Sequence, residues 1–193
     1  MDNELSPILF NMYIDIVVEA LVKSDLGCHV MGNYSGCLLY ADDLILLSAS
    51  VLQLQKMLDL CYDVGLVLDI KFNAKKSSLL QVGRHFSSLI SNLHVGSDDI
   101  TWNDYLRYLG AHLHKGRRLS CGINHAMRKF YAFANSVFSH AGSVSEITKL
   151  YLLESYCLPI LTYAVERLPL KKQIGNLNTC WNNAYMKIFR MKK

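Results

Sequence analysis

The sequence has no uncharged apolar run near the roughly 18 residues that a membrane span needs. The longest candidates, residues 44–54 and 155–165, are short and carry polar residues or Pro159. No CxxC pair is present, and the six cysteines (Cys28, Cys37, Cys61, Cys121, Cys157, Cys180) lie far apart. They read as reduced, mostly buried thiols rather than a disulfide framework. His112, His114, Cys121 and His125 cluster in sequence, but their spacing fits no standard zinc pattern. The first residues, Met1-Asp2-Asn3-Glu4, are acidic and unlike a secretory signal, so an intracellular chain, nuclear or cytoplasmic, is expected. Repeats and low-complexity tracts are missing too. With 51% apolar and only 19% charged residues in 193, disorder is excluded, and the length suits one ordinary domain or two small ones.

Charge is unevenly placed. Residues 1–70 hold two basic side chains, Lys23 and Lys56, against ten acidic ones, a net of −8; residues 71–193 hold eighteen against six, a net of +12. Such a reversal suggests an acidic, cation-binding part joined to a part that faces a polyanion. Two solvated surfaces of unlike charge are the plainer alternative.

Along residues 5–23 an apolar stripe runs through Leu5, Ile8, Leu9, Met12, Tyr13, Ile16, Val17, Ala20 and Leu21, which predicts a helix with Ser6 as N-cap and Pro7 at its first position. Gly27, Gly32 and Gly36 punctuate a short extended stretch around residues 29–31. Two apolar runs, 37–40 and 44–48, flank Ala41-Asp42-Asp43 and read as a buried hairpin. A second helix is expected from Ser48 or Ser50 to Val64, ended by Gly65. Residues 66–72 and 77–82 read as extended, and 84–99 as a polar loop containing Asp98-Asp99. Residues 100–102 and 105–114 alternate like another hairpin, with Gly110 as an irregularity. Beyond Gly122 the pattern is helical: a stripe through Ile123, Met127, Phe130, Ala134, Val137, Phe138 and Ala141, a helix over 145–157 that continues past Pro159 with a kink, and a third over 173–191.

Two adjacent carboxylates at a tight turn offer the hard oxygen ligands that cations such as Mg²⁺ require. Two-metal phosphoryl transfer uses carboxylates that bridge ions about 3.5–4 Å apart. Aspartate is also a common turn residue, and Asp98-Asp99 is read as no more than that.

In context the first pair gains meaning. Leu5-Ser6-Pro7-Ile8-Leu9-Phe10-Asn11-Met12-Tyr13-Ile14-Asp15, followed about 25 residues later by Tyr40-Ala41-Asp42-Asp43-Leu44, resembles motifs B and C of the reverse transcriptases of non-LTR (LINE-type) retrotransposons. Gly65-Leu66 with Phe72-Asn73-Ala74-Lys75-Lys76-Ser77 resembles motif D. Tyr108-Leu109-Gly110 resembles motif E, the primer grip, and Leu158-Pro159-Ile160-Leu161-Thr162-Tyr163 with its neighbouring helices resembles the thumb.

The resemblance implies an α+β fold: a partial palm, an antiparallel sheet with packed helices, over residues 1–115, and an all-helical thumb over 116–193. It implies Asp42 as a ligand of two Mg²⁺ ions with Asp43 beside it, and Tyr40 and Ala41 near the primer terminus. Ser6, Pro7, Phe10 and Asn11 would serve the template and nucleotide pocket. Lys76, or neighbouring Lys75, would be the acid that protonates the leaving pyrophosphate. Tyr108, Leu109 and Gly110 would hold the primer. RNA template, DNA primer and deoxynucleoside triphosphates are the implied partners, with no membrane.

Lys115, Arg117, Arg118, Arg128, Lys129, Lys171, Lys172, Lys187 and Arg190 beside apolar helical faces suit backbone contact with a nucleic acid, which the resemblance implies to be an RNA–DNA hybrid. Trp102, Tyr108, Phe130, Tyr131 and Trp181 could stack on bases, but they fall on apolar stripes and are expected in cores.

The chain departs from the family's pattern at its start, where Met1-Asp2-Asn3-Glu4 replaces basic, Gly and Pro residues. Motif A, with the third carboxylate, and the basic fingers are not found. Asp15 is no substitute, since it lies on the polar side of its helix. The expectation is a palm-and-thumb fragment of an RNA-directed DNA polymerase that is inactive alone, with an apolar sheet edge left exposed. A non-catalytic, maturase-like nucleic-acid-binding protein and an inert retrotransposon relic remain alternatives.

Overall fold

Apolar side chains fill so much of residues 5–24 that burial favours a helix whichever face turns inward. The computed structural model describes residues 5–88, 90–163, 165 and 173–191, with the side chains of 5–8 outside that description, and places helix α1 at Leu5–Ser24. Ser6 and Pro7 therefore sit in its first turn instead of bounding it. Proline is tolerated there because the first N–H groups have no intrahelical acceptor. The buried face is Ile14, Val17 and Leu21, whereas Leu9, Met12, Tyr13 and Ile16 are exposed. The expected stripe is thus largely turned outward, since a helix apolar on most sides does not encode its inward face.

Strands β1 (His29–Val30) and β2 (Asn33–Tyr34) form a hairpin whose two turn residues, Met31 and Gly32, both take positive φ (52° and 80°). Strands β3 (Cys37–Tyr40) and β4 (Asp43–Leu46) form the next. Cys28 N–H donates to Leu47 O at 3.0 Å and Leu47 N–H to Gly36 O at 2.7 Å, so the two hairpins are joined at their bases.

Helix α2 (Val51–Leu68) buries Met57, Leu58, Cys61 and Gly65 and ends on Asp69 in the left-handed conformation (φ 55°). Gly65 lies inside the helix, contrary to its expected place at the end. A Cβ there would lie 2.7 Å from Ile70 O, and Gly65 O accepts the Ile70 N–H at 2.8 Å, so the glycine permits the returning chain to pack closely. Residues 66–68 are consequently helical, not extended.

Strands β5 (Leu79–Leu80), β6 (Leu93–Val95), β7 (Asp98–Ile100) and β8 (Trp102–Asn103) follow. The expected polar loop 84–99 thus contains much of the β6–β7 hairpin, with Asp98 and Asp99 on exposed strand positions. Leu93, Val95 and Ile100 turn inward, and the Gln55 side chain clamps β6 from α2 by donating to His94 O (2.9 Å) and accepting from His94 N–H (3.0 Å).

Strands β9 (Tyr105–Tyr108), β10 (Ala111–His114) and β11 (Ser120–Gly122) form an antiparallel sheet in the order β11-β10-β9. Leu109 (φ 46°) and Gly110 (φ 81°) make the β9–β10 turn, so Gly110 is the turn residue of a hairpin rather than an irregularity in one. Then come α3 (Asn124–His140), α4 (Glu146–Tyr156), α5 (Leu158–Thr162) and α6 (Ile174–Ile188). Ser145 Oγ accepts the Thr148 N–H at 3.2 Å and caps α4. Pro159, in the first turn of α5, marks a break between two helices where a kink was expected. Phe130, Ala134, Leu153, Cys157, Leu161, Leu177, Cys180, Ala184 and Ile188 form the core of this part.

Contacts divide the chain into two compact units, Met1–Leu79 with Leu89–Trp102 and Leu80–Ser88 with Asn103–Lys193. The three-stranded sheet falls with the helices because Ala111, Cys121 and Ile123 pack into their core. Four of the six cysteines are buried. Burial, with the Cys37 thiol nearby, pushes the Cys61 thiol up to about 12, which keeps it protonated and inert. Among the described residues no helix is long and apolar enough to cross a membrane.

Candidate functional site

Pairing Tyr40 with Asp43 leaves Ala41 and Asp42 as the only turn residues of the β3–β4 hairpin. Ala41 takes a φ of 52°, and a small side chain limits the steric cost of that conformation. Cys37, Leu39, Leu44 and Leu46 pack on the first unit's core, while Leu38 and Tyr40 are 50% and 61% exposed. The hairpin is therefore buried on one face only, unlike the fully buried one expected. Among the described residues it is a two-stranded sheet with no further strand to cover it. Replacing Ala41 by glycine should relieve the backbone and stabilise the first unit by about 1 kcal/mol, whereas valine should destabilise it. Urea unfolding of both variants checks this, and equal midpoints would contradict it.

Asp42 and Asp43 are exposed, and among the described residues neither carboxylate has a hydrogen-bond or ion-pair partner. Their oxygens are of the kind that a hard divalent cation takes. In number they fall short: among the described residues no group of three or more His, Cys, Asp or Glu is placed to hold a metal. The pair fits one edge of a metal site and needs further oxygens to complete it.

Lys75 and Lys76 are both exposed, in the turn where Lys76 N–H donates to Asn73 O at 3.1 Å. Neither pairs with the aspartates. Phe10 and Asn11 are exposed on α1, and the side chains of Ser6 and Pro7 lie outside the described residues.

In the second unit, Tyr108 is half-buried, and Leu109 and Gly110 are exposed at the turn. Tyr163 Oη donates to Leu109 O at 2.7 Å and pins that turn. Lys115, Arg117, Arg118, Arg128 and Lys129 are all exposed; Lys115 is ion-paired with Asp104. Lys187 is already engaged, by the Phe138 ring at 4.5 Å and Asn135 Oδ1 at 3.2 Å. Lys171 and Lys172 lie outside the described residues. Phe130, Tyr131 and Trp181 pack together in the core, and Trp102 is half-buried in the first unit, its indole N–H on Ser91 O at 3.1 Å.

Arg107, His112, His125 and Lys129 line a cleft of about 520 Å³. In the sequence His112 and His125 stand in the histidine–cysteine cluster of residues 112–125 and Lys129 among the basic residues beyond 115, while Arg107 carried no signal. Burial, then the charges of His125, Arg107 and His114, hold the His112 imidazole below the usual histidine range.

Residues 3–113, which include both the aspartate turn and Tyr108-Leu109-Gly110, match the family Reverse transcriptase (RNA-dependent DNA polymerase). The chain is also similar to the Retrovirus-related Pol polyprotein from type-2 retrotransposable element R2DM of Drosophila melanogaster, at 30% identity over 125 residues. That alignment covers 61% of this chain and 12% of the polyprotein, so the chain spans a small part of its relative's length. The chain belongs to the reverse transcriptase (RNA-dependent DNA polymerase) family, and within it resembles the enzymes of non-LTR retrotransposons.

Proposed function

We propose that this chain supplies the carboxylate turn and the hybrid-holding part of an RNA-directed DNA polymerase, with RNA template, DNA primer and deoxynucleoside triphosphates as substrates. The observation that carries the reading is the exposed Asp42-Asp43 pair at a two-residue turn in a chain of this family. A bound divalent cation, Mg²⁺ in this reading, would supply activation of the primer hydroxyl and neutralisation of phosphate charge. The chain's own residues would orient: Asp42 and Asp43 as oxygen ligands, Tyr40 and Ala41 beside the primer terminus, and Phe10 and Asn11 toward template and nucleotide. Lys76 would deliver a proton to the leaving group, and the turn at Tyr108, Leu109 and Gly110 would hold the primer. In this reading the first unit acts as palm and the helices of the second as thumb.

Arg117, Arg118, Arg128 and Lys129 are exposed and not ion-paired among the described residues, which suits contact with phosphates. Two carboxylates are too few for a two-metal site, so the chain by itself is read as inactive.

The test combines binding and chemistry. The chain should bind an RNA–DNA hybrid with strong salt dependence, and Arg117→Ala with Arg118→Ala should flatten the log–log salt slope by roughly 2. Mn²⁺ should broaden the NMR signals flanking Asp42 and Asp43, and D42N/D43N should abolish this. With Mg²⁺, template, primer and nucleotides, no extended product should appear. Absent hybrid binding, or Mn²⁺ broadening that persists in the double variant, would overturn the reading; robust extension by the chain alone would overturn the incomplete metal set.

A further inference from the structure

Of the serines and threonines in the sequence, Ser120 alone has arginine at both the third and the second residue before it, in Gly116-Arg117-Arg118-Leu119-Ser120. Two other serines carry a looser form of the pattern: Ser78 follows Lys75-Lys76-Ser77, and Ser87 follows Arg84-His85-Phe86. No Asp or Glu occurs in the sequence between Asp104 and Glu146, so the segment around Ser120 is cationic without interruption.

The fold presents the three segments differently. Arg117, Arg118 and Leu119 lie between β10 and β11, outside any strand or helix, and they and Ser120 are exposed. The base of this loop is held: Lys115 N–H donates to Asp104 O at 2.8 Å, and Gly116 O accepts the Gly83 N–H at 2.9 Å. Its crown is free. Among the described residues, Arg117, Arg118 and Leu119 make no hydrogen bond or ion pair, and the Ser120 hydroxyl has no partner. Ser87 instead sits in two successive turns, Phe86 N–H on Gly83 O (3.3 Å) and Ser88 N–H on His85 O (2.9 Å). The run before Ser78 is closed by the Ser77 hydroxyl, which donates to Asn73 O at 2.9 Å, and by Lys76 N–H on the same oxygen at 3.1 Å.

Ser120 begins β11, the edge strand of the order β11-β10-β9, where its cross-strand partner is His114. Cys121 beyond it is buried. An enzyme that takes Ser120 in an extended segment must open the end of one ladder, and strand ends open at low cost.

We propose that Ser120 is a phosphorylation site for a basic-directed serine kinase, and that the phosphate switches off the loop's hold on nucleic acid. Such kinases read paired arginines through carboxylates in the substrate groove. The Ser120 hydroxyl oxygen attacks the γ-phosphorus of ATP. The bond from that phosphorus to the bridging oxygen breaks, ADP leaves, and the hydroxyl proton passes to the kinase's base. The product carries about −1.5 to −2 charge at neutral pH, beside two guanidinium groups. It pairs with Arg117 and Arg118 and cancels their charge, so they no longer serve the phosphates of an RNA–DNA hybrid. That consequence rests on the hybrid-holding reading above; the modification itself does not.

The folded whole chain, incubated with Mg-ATP and the catalytic subunit of cyclic-AMP-dependent protein kinase, should take up a single phosphate, mapped by mass spectrometry to Ser120. Ser120→Ala should remove it. Arg117→Ala with Arg118→Ala, two exposed loop positions, should slow uptake at least about tenfold. The phosphorylated chain should bind an RNA–DNA hybrid at least about tenfold more weakly than the unmodified chain, with the log–log salt slope flattened by roughly 2. Kinase-treated Ser120→Ala should keep full binding. Phosphate on Ser78 or Ser87 in place of Ser120, uptake only by the urea-unfolded chain, or uptake unaffected by the arginine substitutions overturns the site. Hybrid binding that is equal before and after complete modification overturns the switch. An unmodified chain that binds no hybrid removes the switch together with the hybrid reading, while uptake at Ser120 still decides the site.

Discussion

Truncating Phe130 to alanine is expected to cost the second unit about 3–5 kcal/mol, a large share of a small unit's stability. Its side chain is 0% exposed and stands among Leu153, Cys157, Leu161, Leu177, Cys180 and Ala184. The ring meets Tyr131 edge-on at 5.4 Å and Trp181 at 6.4 Å, so the lost atoms leave a cavity bounded by rigid aromatics and by three helices. Such a site cannot collapse cheaply. The two tryptophans make the measurement specific: Trp102 lies in the first unit and Trp181 in the second. In a Trp102→Phe background, Trp181 fluorescence during urea unfolding reports the second unit alone. A midpoint shift worth less than about 1 kcal/mol would mean that Phe130 is not the keystone its burial indicates.

The same residue shows what the sequence could reveal. Phe130 falls on a stripe with Ile123, Met127, Ala134, Val137 and Ala141, one face of an otherwise polar helix, and that face is the one that packs. Helix α6 was legible in part: of its apolar stripe Ile174, Leu177, Trp181, Tyr185, Ile188 and Phe189, only Leu177, Trp181 and Ile188 meet the core, while Ile174, Tyr185 and Phe189 are exposed. Helix α1 was not, because its apolar residues leave few positions to mark the outer side, and the choice of Ile14, Val17 and Leu21 is made by α2 and the hairpins. Strands β6 and β7 escaped for a related reason. Only Leu93, Val95 and Ile100 point inward, and the pairing of two three-residue strands is set by partners distant in sequence, Leu58 and Gln55 among them. Gly65 and Gly110 were assigned by local rules, yet one is a packing gap within a helix and the other a turn. At the candidate site, the aspartate turn was visible as two acids between apolar runs, since a hairpin is local. Its exposed outer face was not visible, because a strand pattern states what could be buried and not what neighbours are present. The cleft of the second unit is lined from β9, β10, β11, α3, α5 and α6, and no linear spacing encodes that.

Gly27 tests how the aspartate turn is held. Its φ is +110°, and a Cβ there would lie 2.8 Å from Leu47 O and 2.9 Å from Gly36 Cα, with the Met57 methyl at 3.0 Å. The methionine can swing aside, but the two backbone atoms cannot. They belong to the junction where Cys28 N–H meets Leu47 O and Leu47 N–H meets Gly36 O, the bonds that anchor β4 at the end away from Asp42. Gly27→Ala should therefore lower the stability of the first unit by about 2–4 kcal/mol, from strained backbone and clash together. Gly32→Ala is the matched control: its φ is +80°, but nothing lies within 4 Å of the added Cβ, so it should cost only about 1–2 kcal/mol. Hydrogen exchange should then show faster opening at Leu38 and Ile45, the hydrogen-bonded pair of the hairpin, in the Gly27 variant and near-native protection there in the Gly32 variant. Equal costs for the two substitutions would show that backbone conformation alone matters and that the junction does not fix the hairpin, in which case the position of Asp42 and Asp43 must be set by the contacts of Leu39, Leu44 and Leu46 with the core.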